Sequence, residues 1–178
     1  MLSFDIMKHN PALFLTFTGL ALSEFEMLSV SFKKALKDYI VKEYVEKEGR
    51  KRKYGGGRKP KLRSDEGKLL FILIYFKLYP LQAVIGFLFG MSQSQACEQI
   101  HKLSGILKTA SESLDLMPER IPENLKAALS ECDEDEVIID GTERKKRRPQ
   151  DPDKQKKYNS GKKKTHTVKN NVIVTAEG

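Results

Sequence analysis

The 178-residue sequence has few of the cysteines and glycines on which disulfide-linked and fibrous proteins depend. It contains two cysteines, no tryptophan and 12 glycines, which excludes a disulfide framework and a collagen-like repeat. Cys97 and Cys132 stand far apart without the spacing of metal ligands. Two lone thiols are typical of a reducing compartment. Hydrophobic residues make up 39% of the chain, which is enough for a buried core and argues against wholesale disorder.

Long apolar runs are also scarce. Residues 69–90 come closest to the ~20 residues that a membrane-spanning helix needs, but Lys77 lies at their middle and Pro80 interrupts them. Two shorter helices inside a soluble domain explain the run better. Residues 11–22 resemble the apolar core of a signal peptide, but nothing downstream looks secreted. We therefore expect no membrane partner.

Positive charge is concentrated in two blocks. The chain has 32 Lys and Arg against 24 Asp and Glu, a formal net charge of +8. Residues 49–63 hold eight basic and no acidic side chains, and residues 141–169 hold twelve basic and three acidic ones, so the remainder is net acidic. Two basic blocks on an acidic body indicate a polyanionic partner, most simply nucleic acid. The structural alternative is that both are solvated loops.

Apolar spacing predicts helices before and after the first basic block. Residues 23–47 carry one apolar stripe, and Ser23 with Glu26 matches a capping box. Residues 49–63 are predicted to be a basic, glycine-rich linker. A second helix is predicted from a Ser64 cap to about Tyr79, and it is apolar nearly all round, which indicates a central, buried position.

The next residues have the pattern of a helix-turn-helix. A short helix from Leu81 to Phe89 is followed by Gly90, a natural left-handed terminator, and then by a helix capped by Ser92. Glycine-broken helix pairs also occur in ordinary bundles, which is the alternative. In the last helix Ala96, Ile100, Leu103 and Leu107 form the apolar stripe, Ser94, Glu98, His101 and Gly105 face the other way, and Gln95 and Lys102 lie on a flank.

This pattern assigns two kinds of DNA contact. Basic side chains of the linker grip phosphates, which supply most non-specific affinity, and polar side chains of the last helix reach base edges. The predicted phosphate-binding residues are Arg50, Lys51, Arg52, Lys53, Arg58, Lys59, Lys61 and Arg63. The predicted base-contacting residues are Ser92, Gln93, Ser94, Gln95 and Lys102.

The C-terminal part is predicted to contain two strands. Val137, Ile138 and Ile139 are β-branched and precede Asp140, which predicts a short buried strand with Asp140 at its edge. Residues 144–164 are predicted to be irregular, and the alternating residues 165–175 form the second strand. Asp140 is placed like a ligand of a hard cation such as Mg²⁺; a strand-terminal Asp in a turn is the alternative. The predicted fold is mostly α with a small β appendage.

A series of short strings resembles one family. They are Asp140-Gly141-Thr142-Glu143, Arg148-Pro149, Asp151-Pro152, Ser160-Gly161-Lys162-Lys163 and His166-Thr167-Val168-Lys169. Together they resemble the start of the catalytic domain of DDE-type insertion-sequence transposases, of the insertion-sequence-5 group. The upstream residues are similar to the helix-turn-helix region of the same family, and the resemblance covers roughly residues 20–178.

The resemblance implies an RNase H-like catalytic fold whose truncated start is residues 132–178. Asp140 would then be the first acid of the Asp-Asp-Glu site, catalytic and metal-binding, with Mg²⁺ as the cofactor of the complete enzyme. The family's second Asp and its Glu lie well downstream, and after His166 this sequence offers only Glu177. We therefore expect residues 1–178 alone to be inactive in cutting DNA. They would be the first product of an element split between two reading frames, or a truncated remnant.

The predicted function is recognition of the terminal inverted repeats of a mobile element, which implies a cytoplasmic, nucleoid-associated protein. Lys162, Lys163 and Lys164 would hold DNA near Asp140. The downstream-frame half of the transposase and a second copy of the chain are further candidate partners. The alternatives are a non-catalytic regulator or inhibitor of the same element, and a pseudogene product. The expected organisation is an N-terminal helical segment (1–48), a linker (49–63), a helix-turn-helix domain (64–131) and the catalytic start (132–178).

Overall fold

The computed structural model describes residues 1–46, 48, 55, 59–118, 121–131 and 137–175. It consists of two compact units, Met1–Pro118 and Glu119–Gly178. The described residues of the first form helices and no strands, and the second combines two helices with a three-stranded antiparallel sheet. The predicted fold class, mostly α with a small β part, is confirmed. The helices of the first unit are α1 (Phe4–Met7), α2 (Pro11–Thr18), α3 (Leu22–Ile40) followed by a π-helix (Val41–Val45), α4 (Asp65–Leu78), α5 (Gln82–Phe89) and α6 (Gln93–Glu112).

The first two helices contribute to the core of this unit. Asn10 caps α2 by accepting a hydrogen bond from the Leu13 N–H at 3.1 Å. Phe14 of α2 is buried and meets the ring of Phe25 of α3 edge-on at 5.2 Å, while Phe4 stacks on Phe25 at 5.0 Å. Residues 11–22, which resemble the apolar core of a signal peptide, therefore include a helix that packs into the core of this unit.

Among the described helices no single one is long and apolar enough to cross a bilayer. The helices Pro11–Thr18 and Leu22–Val45 satisfy length and composition only as a pair bent by 54°.

Helix α3 starts earlier than predicted. Gly19 ends α2 in the left-handed conformation with φ of 76°, so Ala21 becomes the N-cap of α3 and Ser23 lies inside the helix. The Ala21 N–H donates to the Glu24 carboxylate at 2.6 Å, and the predicted Ser23–Glu26 capping box was wrong. The α-helix ends at Ile40 and continues as the π-helix. Gly49, at which the predicted linker begins, lies outside the described residues.

Helix α4 is the central helix, as its apolar composition predicts. The Ser64 side chain caps it by accepting from the Gly67 N–H at 3.0 Å. Every residue from Leu69 to Ile74 is buried, and the helix packs against α2, α3 and α6. It ends where Tyr79 takes a left-handed φ of 46° before Pro80.

The predicted turn between α5 and α6 is confirmed. Gly90 has a φ of 67°, which favours glycine, and the Met91 N–H donates to the Gly86 carbonyl at 2.8 Å. Ser92 caps α6 and forms a full capping box with Gln95, with hydrogen bonds of 3.3 and 3.1 Å. The side chains that α6 buries are Ala96, Ile100, Leu103, Ile106 and Ala110, whereas Leu107 is only partly buried.

Two glycines of this region are expected to respond in opposite ways to alanine. A Cβ at Gly86 would lie 2.9 Å from the Met91 carbonyl oxygen, which is backbone and cannot move aside, whereas a Cβ at Gly105 would meet nothing within 4 Å. Gly86→Ala should lower the free energy of unfolding by about 1–3 kcal/mol, and Gly105→Ala should raise it by about 0.5–1 kcal/mol. Urea unfolding of both variants measures the difference. Equal effects would contradict the packing described here.

The second unit is built on a long hairpin. Its elements are α7 (Pro122–Glu131), β1 (Val137–Lys145), α8 (Pro152–Tyr158), β2 (Asn159–Ser160) and β3 (Thr165–Thr175). Strand β3 lies between β1 and β2 and is antiparallel to both, and its pairing with β1 runs without a bulge from Val137↔Thr175 to Lys145↔Thr167. The predicted strand 165–175 is confirmed. Helix α8 lies within residues 144–164, and their prediction as irregular was wrong for this helix. Pro152 occupies the first turn of the helix, a position that proline tolerates, and Asp151 caps it.

Strand β1 differs from its prediction in length and burial. It continues through Asp140 to Lys145, and Ile138 and Ile139 are 58% and 63% exposed. The expected short buried strand was therefore wrong. The reason is that β2 has only two residues, so the described sheet is almost a two-stranded ribbon, which cannot enclose an apolar face.

Candidate nucleic-acid interface

The first turn of α6 presents a polar surface to solvent. Ser92, Gln93, Ser94 and Gln95 are all exposed. The capping box uses the carbonyl oxygen of Gln95, which accepts from the Ser92 N–H, and this leaves its amide N–H groups without a partner among the described residues. Glu98, His101 and Gly105 continue the exposed face along the helix. The outward face predicted from the helical period is thus the one that the structure exposes.

Lys102 is the exception among the predicted base-contacting residues. It is half-buried, and its ammonium group lies 5.3 Å from the ring centroids of both Tyr39 and Tyr44. Burial lowers the pKa of Lys102. These three side chains line a groove of about 670 Å³ between α6 and the end of α3 with its π-helix. The sequence holds no signal for this groove, because nothing local links Tyr39 and Tyr44 to a residue some sixty positions away.

The end of the basic block lies beside α6. Lys59, Lys61 and Arg63 are exposed, whereas Leu62 between them is buried and anchors the segment. Pro60, Lys61 and Leu62 share a small cavity of about 120 Å³ with the α6 residues Gln95, Glu98 and Gln99. The cationic side chain of Lys61 therefore lies next to the exposed face of α6. Five other predicted phosphate-binding residues, Arg50, Lys51, Arg52, Lys53 and Arg58, lie outside the described residues.

Asp140 lies in the middle of β1, opposite Val172 of β3, and is exposed. Lys162, Lys163 and Lys164 are exposed in the turn between β2 and β3. The lysines directly precede the start of β3 at Thr165, and Asp140 pairs with Val172, seven positions further along that strand. At ~3.4 Å per residue, the distance from Thr165 to Val172 along the strand is about 24 Å. The three lysines and Asp140 therefore lie at different positions along the same extended hairpin, and a joint contact with one DNA duplex stays a prediction.

The donor groups near Asp140 do not by themselves form a metal centre. Within residues 1–46, 48, 55, 59–118, 121–131 and 137–175, no three His, Cys, Asp or Glu side chains come together as ligands. A two-metal phosphodiester site needs carboxylates on both ions, and Asp140 is one carboxylate. The residues that the structure describes therefore do not fit a complete two-metal site.

The helical geometry agrees with two comparisons with known proteins. Residues 60–113, which comprise α4, α5 and α6, match the model described as the helix-turn-helix of DDE superfamily endonuclease. The last three helices of the first unit are thus similar to the helix-turn-helix of that superfamily.

The second comparison concerns a particular protein. The chain is 29% identical over 130 residues to the probable transposase for insertion sequence element IS702 of Microchaete diplosiphon. The match covers 73% of this chain and 44% of that protein, so the chain corresponds to less than half of its relative's length. The resemblance to DDE-type insertion-sequence transposases is confirmed by these two findings. No solved structure matches the chain.

Proposed function

We propose that this chain recognises the ends of an insertion sequence through the exposed face of α6 and the basic segment beside it. The observation that carries the proposal is the position of Lys61 next to Gln95 and Glu98, within the region matched by the helix-turn-helix model. A major groove admits one α-helix, and a glutamine amide pairs with adenine there. Cations next to such a helix bind the flanking phosphates, which orient the helix on the duplex.

We further propose that Asp140 supplies one carboxylate of a DDE site for DNA transposition. Its exposure on β1 leaves it accessible to a DNA strand. Mg²⁺, bound with further carboxylates, would supply the charge that stabilises the attacking and leaving oxygens of phosphodiester cleavage. The described residues place no such carboxylates together with Asp140, and we propose that residues 1–178 bind DNA without cutting it.

Binding is tested by the salt dependence of affinity for the element's terminal repeat. If α6 and the basic block contact at least six phosphates, the affinity falls by about 10³-fold or more between 50 and 200 mM salt. Fluorescence anisotropy with a labelled terminal-repeat duplex measures this fall, and a scrambled duplex of equal length is the control. A weak dependence of affinity on salt concentration, or equal affinity for both duplexes, would contradict the proposal that the chain specifically recognises the ends of the element.

Strand cleavage is tested separately. Purified 1–178 is incubated with a labelled terminal-repeat duplex and Mg²⁺, and we expect no nicked product. Cleavage by the parent chain that is lost in the Asp140→Asn variant would show that a complete catalytic site forms. The proposal that Asp140 is one ligand of an incomplete metal site would then be wrong.

A further inference from the structure

Glu143, the last residue of the Asp-Gly-Thr-Glu string, does not share a face with Asp140. The two residues are three positions apart in a strand whose pairing with β3 has no bulge. Because successive side chains of a strand point to opposite faces, an odd separation places them on opposite sides of the sheet. Glu143 therefore has a different structural environment from the proposed metal-binding carboxylate.

The Glu143 carboxylate joins the three strands. It accepts hydrogen bonds from the Ser160 hydroxyl of β2 at 3.0 Å and from the Thr167 hydroxyl of β3 at 3.4 Å. Its other oxygen lies 3.6 Å from the Lys169 ammonium. Ser160 and Thr167 are among the few buried polar residues, and the hydrogen bond from Ser160 holds the pKa of Glu143 below its ordinary value. We call these four residues the carboxylate clasp.

The clasp lies at the base of the lysine turn, Gly161–Lys164, which connects Ser160 to Thr165. These two residues pair with each other, so four residues reverse the chain. Lys164 has a φ of 48°, a left-handed conformation that lysine rarely adopts and that persists only where the surroundings determine it. Lys162, Lys163 and Lys164 are exposed. A turn with this conformation holds three adjacent cationic side chains at the end of the sheet.

Ser160 links the clasp to the lysine turn. Its hydroxyl oxygen accepts from the Lys163 backbone N–H at 3.3 Å, while its single proton is donated to Glu143. A serine hydroxyl has one proton and two lone pairs, so the carboxylate orients the lone pairs toward the turn. Without the carboxylate the direction of the hydroxyl proton is no longer fixed, and the lone pairs are no longer held toward the Lys163 N–H.

We propose that Glu143 is a positioning residue that holds the lysine turn in the conformation in which its three ammonium groups bind the phosphate backbone of duplex DNA. This inference rests on the proposed DNA-binding function. It gives Glu143, the second acid of the Asp-Gly-Thr-Glu string, a role in DNA binding rather than in metal binding. It also makes the turn a contact separate from α6.

The experiment compares Glu143→Ala with Glu143→Gln in the full chain, with a duplex of arbitrary sequence as the probe. Each phosphate contact contributes about 0.9 to the slope of log affinity against log salt concentration. Glu143→Ala should reduce the slope by about 1 to 3, as should replacement of Lys162, Lys163 and Lys164 by glutamine. Glu143→Gln keeps an oxygen that accepts from both hydroxyls and should restore most of the slope. In the triple-glutamine background, Glu143→Ala should have no further effect.

A second readout does not use DNA. Limited trypsin digestion, mapped by mass spectrometry, should cut after Lys162, Lys163 and Lys164 faster in Glu143→Ala than in the parent chain. If Glu143→Ala loses its sheet altogether, Ser160→Ala removes only the shared hydroxyl and should show the same faster cutting and reduced slope.

Two results would overturn the inference while leaving end recognition by α6 intact. One is an unchanged slope in the triple-glutamine variant, which would mean that the turn does not contact DNA. The other is an unchanged slope and unchanged trypsin cutting in Glu143→Ala. If the parent chain binds neither the arbitrary nor the terminal-repeat duplex, the proposed function itself fails, and the inference fails with it.

Discussion

Gln95→Glu is expected to reduce affinity for the terminal-repeat duplex by about 100-fold, the upper part of the 1–3 kcal/mol range for one good base contact. The substitution replaces two amide donors by an anion on the exposed face of α6. Stability should not fall, because glutamate at this position can also accept from the Ser92 N–H and complete the capping box. A negative charge in the first turn of a helix is favourable as well. Fluorescence anisotropy and thermal unfolding of the same protein sample separate the two effects.

Thr109→Glu provides the matched control. Thr109 is exposed on the same helix, fourteen residues from Gln95, which at 1.5 Å per residue is about 21 Å. That distance exceeds the screening length of about 8 Å at physiological salt, so the added charge should leave affinity nearly unchanged. Equal losses in the two variants would mean that total charge, rather than the first turn of α6, determines binding.

Phe25→Ala is expected to lower the free energy of unfolding of the helical unit by about 3–5 kcal/mol. The Phe25 ring is fully buried and contacts the rings of Phe4 and Phe14, so truncation removes apolar burial and leaves a cavity among residues from three helices. Such a loss is a large part of the stability of a typical domain. Chemical denaturation followed by circular dichroism measures it.

Phe87→Ala is the matched control for this loss. Phe87 is 84% exposed on α5, so its truncation should change the free energy of unfolding by no more than about 0.5 kcal/mol. If Phe87→Ala proved as costly as Phe25→Ala, the burial pattern of the helical unit described here would be incorrect.

The core around Phe25 extends the helical unit beyond the residues matched by the helix-turn-helix model. That match begins at residue 60, whereas α1, α2 and α3 supply Met7, Phe14, Phe25 and Phe32 to the same core as α4 and α6. Without these helices the apolar surface of α4 would face water. We therefore expect α6 to keep its position on DNA only in the presence of the residues that precede the match.

Local sequence patterns predicted much of the helix-turn-helix and part of the hairpin. The caps at Ser64 and Ser92, the left-handed Gly90 and the strand 165–175 all depend on residues within a few positions of one another. The same holds for the exposed face of α6, since the helical period alone separates it from the buried stripe. Where local rules competed, the prediction was wrong: Ser23 is a good cap by type, but the end of α2 at Gly19 moved the start of α3.

The sequence by itself determined the helix-turn-helix, the two basic blocks and the resemblance to insertion-sequence transposases, because these depend on residue type, order and short spacing. Only the tertiary structure decided that Lys102 packs against Tyr39 and Tyr44, that the lysine turn lies far along β3 from Asp140, and that Glu143 joins three strands. Each of these contacts or distances relates segments separated by up to some sixty residues. Packing and strand register determine such relations, and no local pattern in the sequence encodes them.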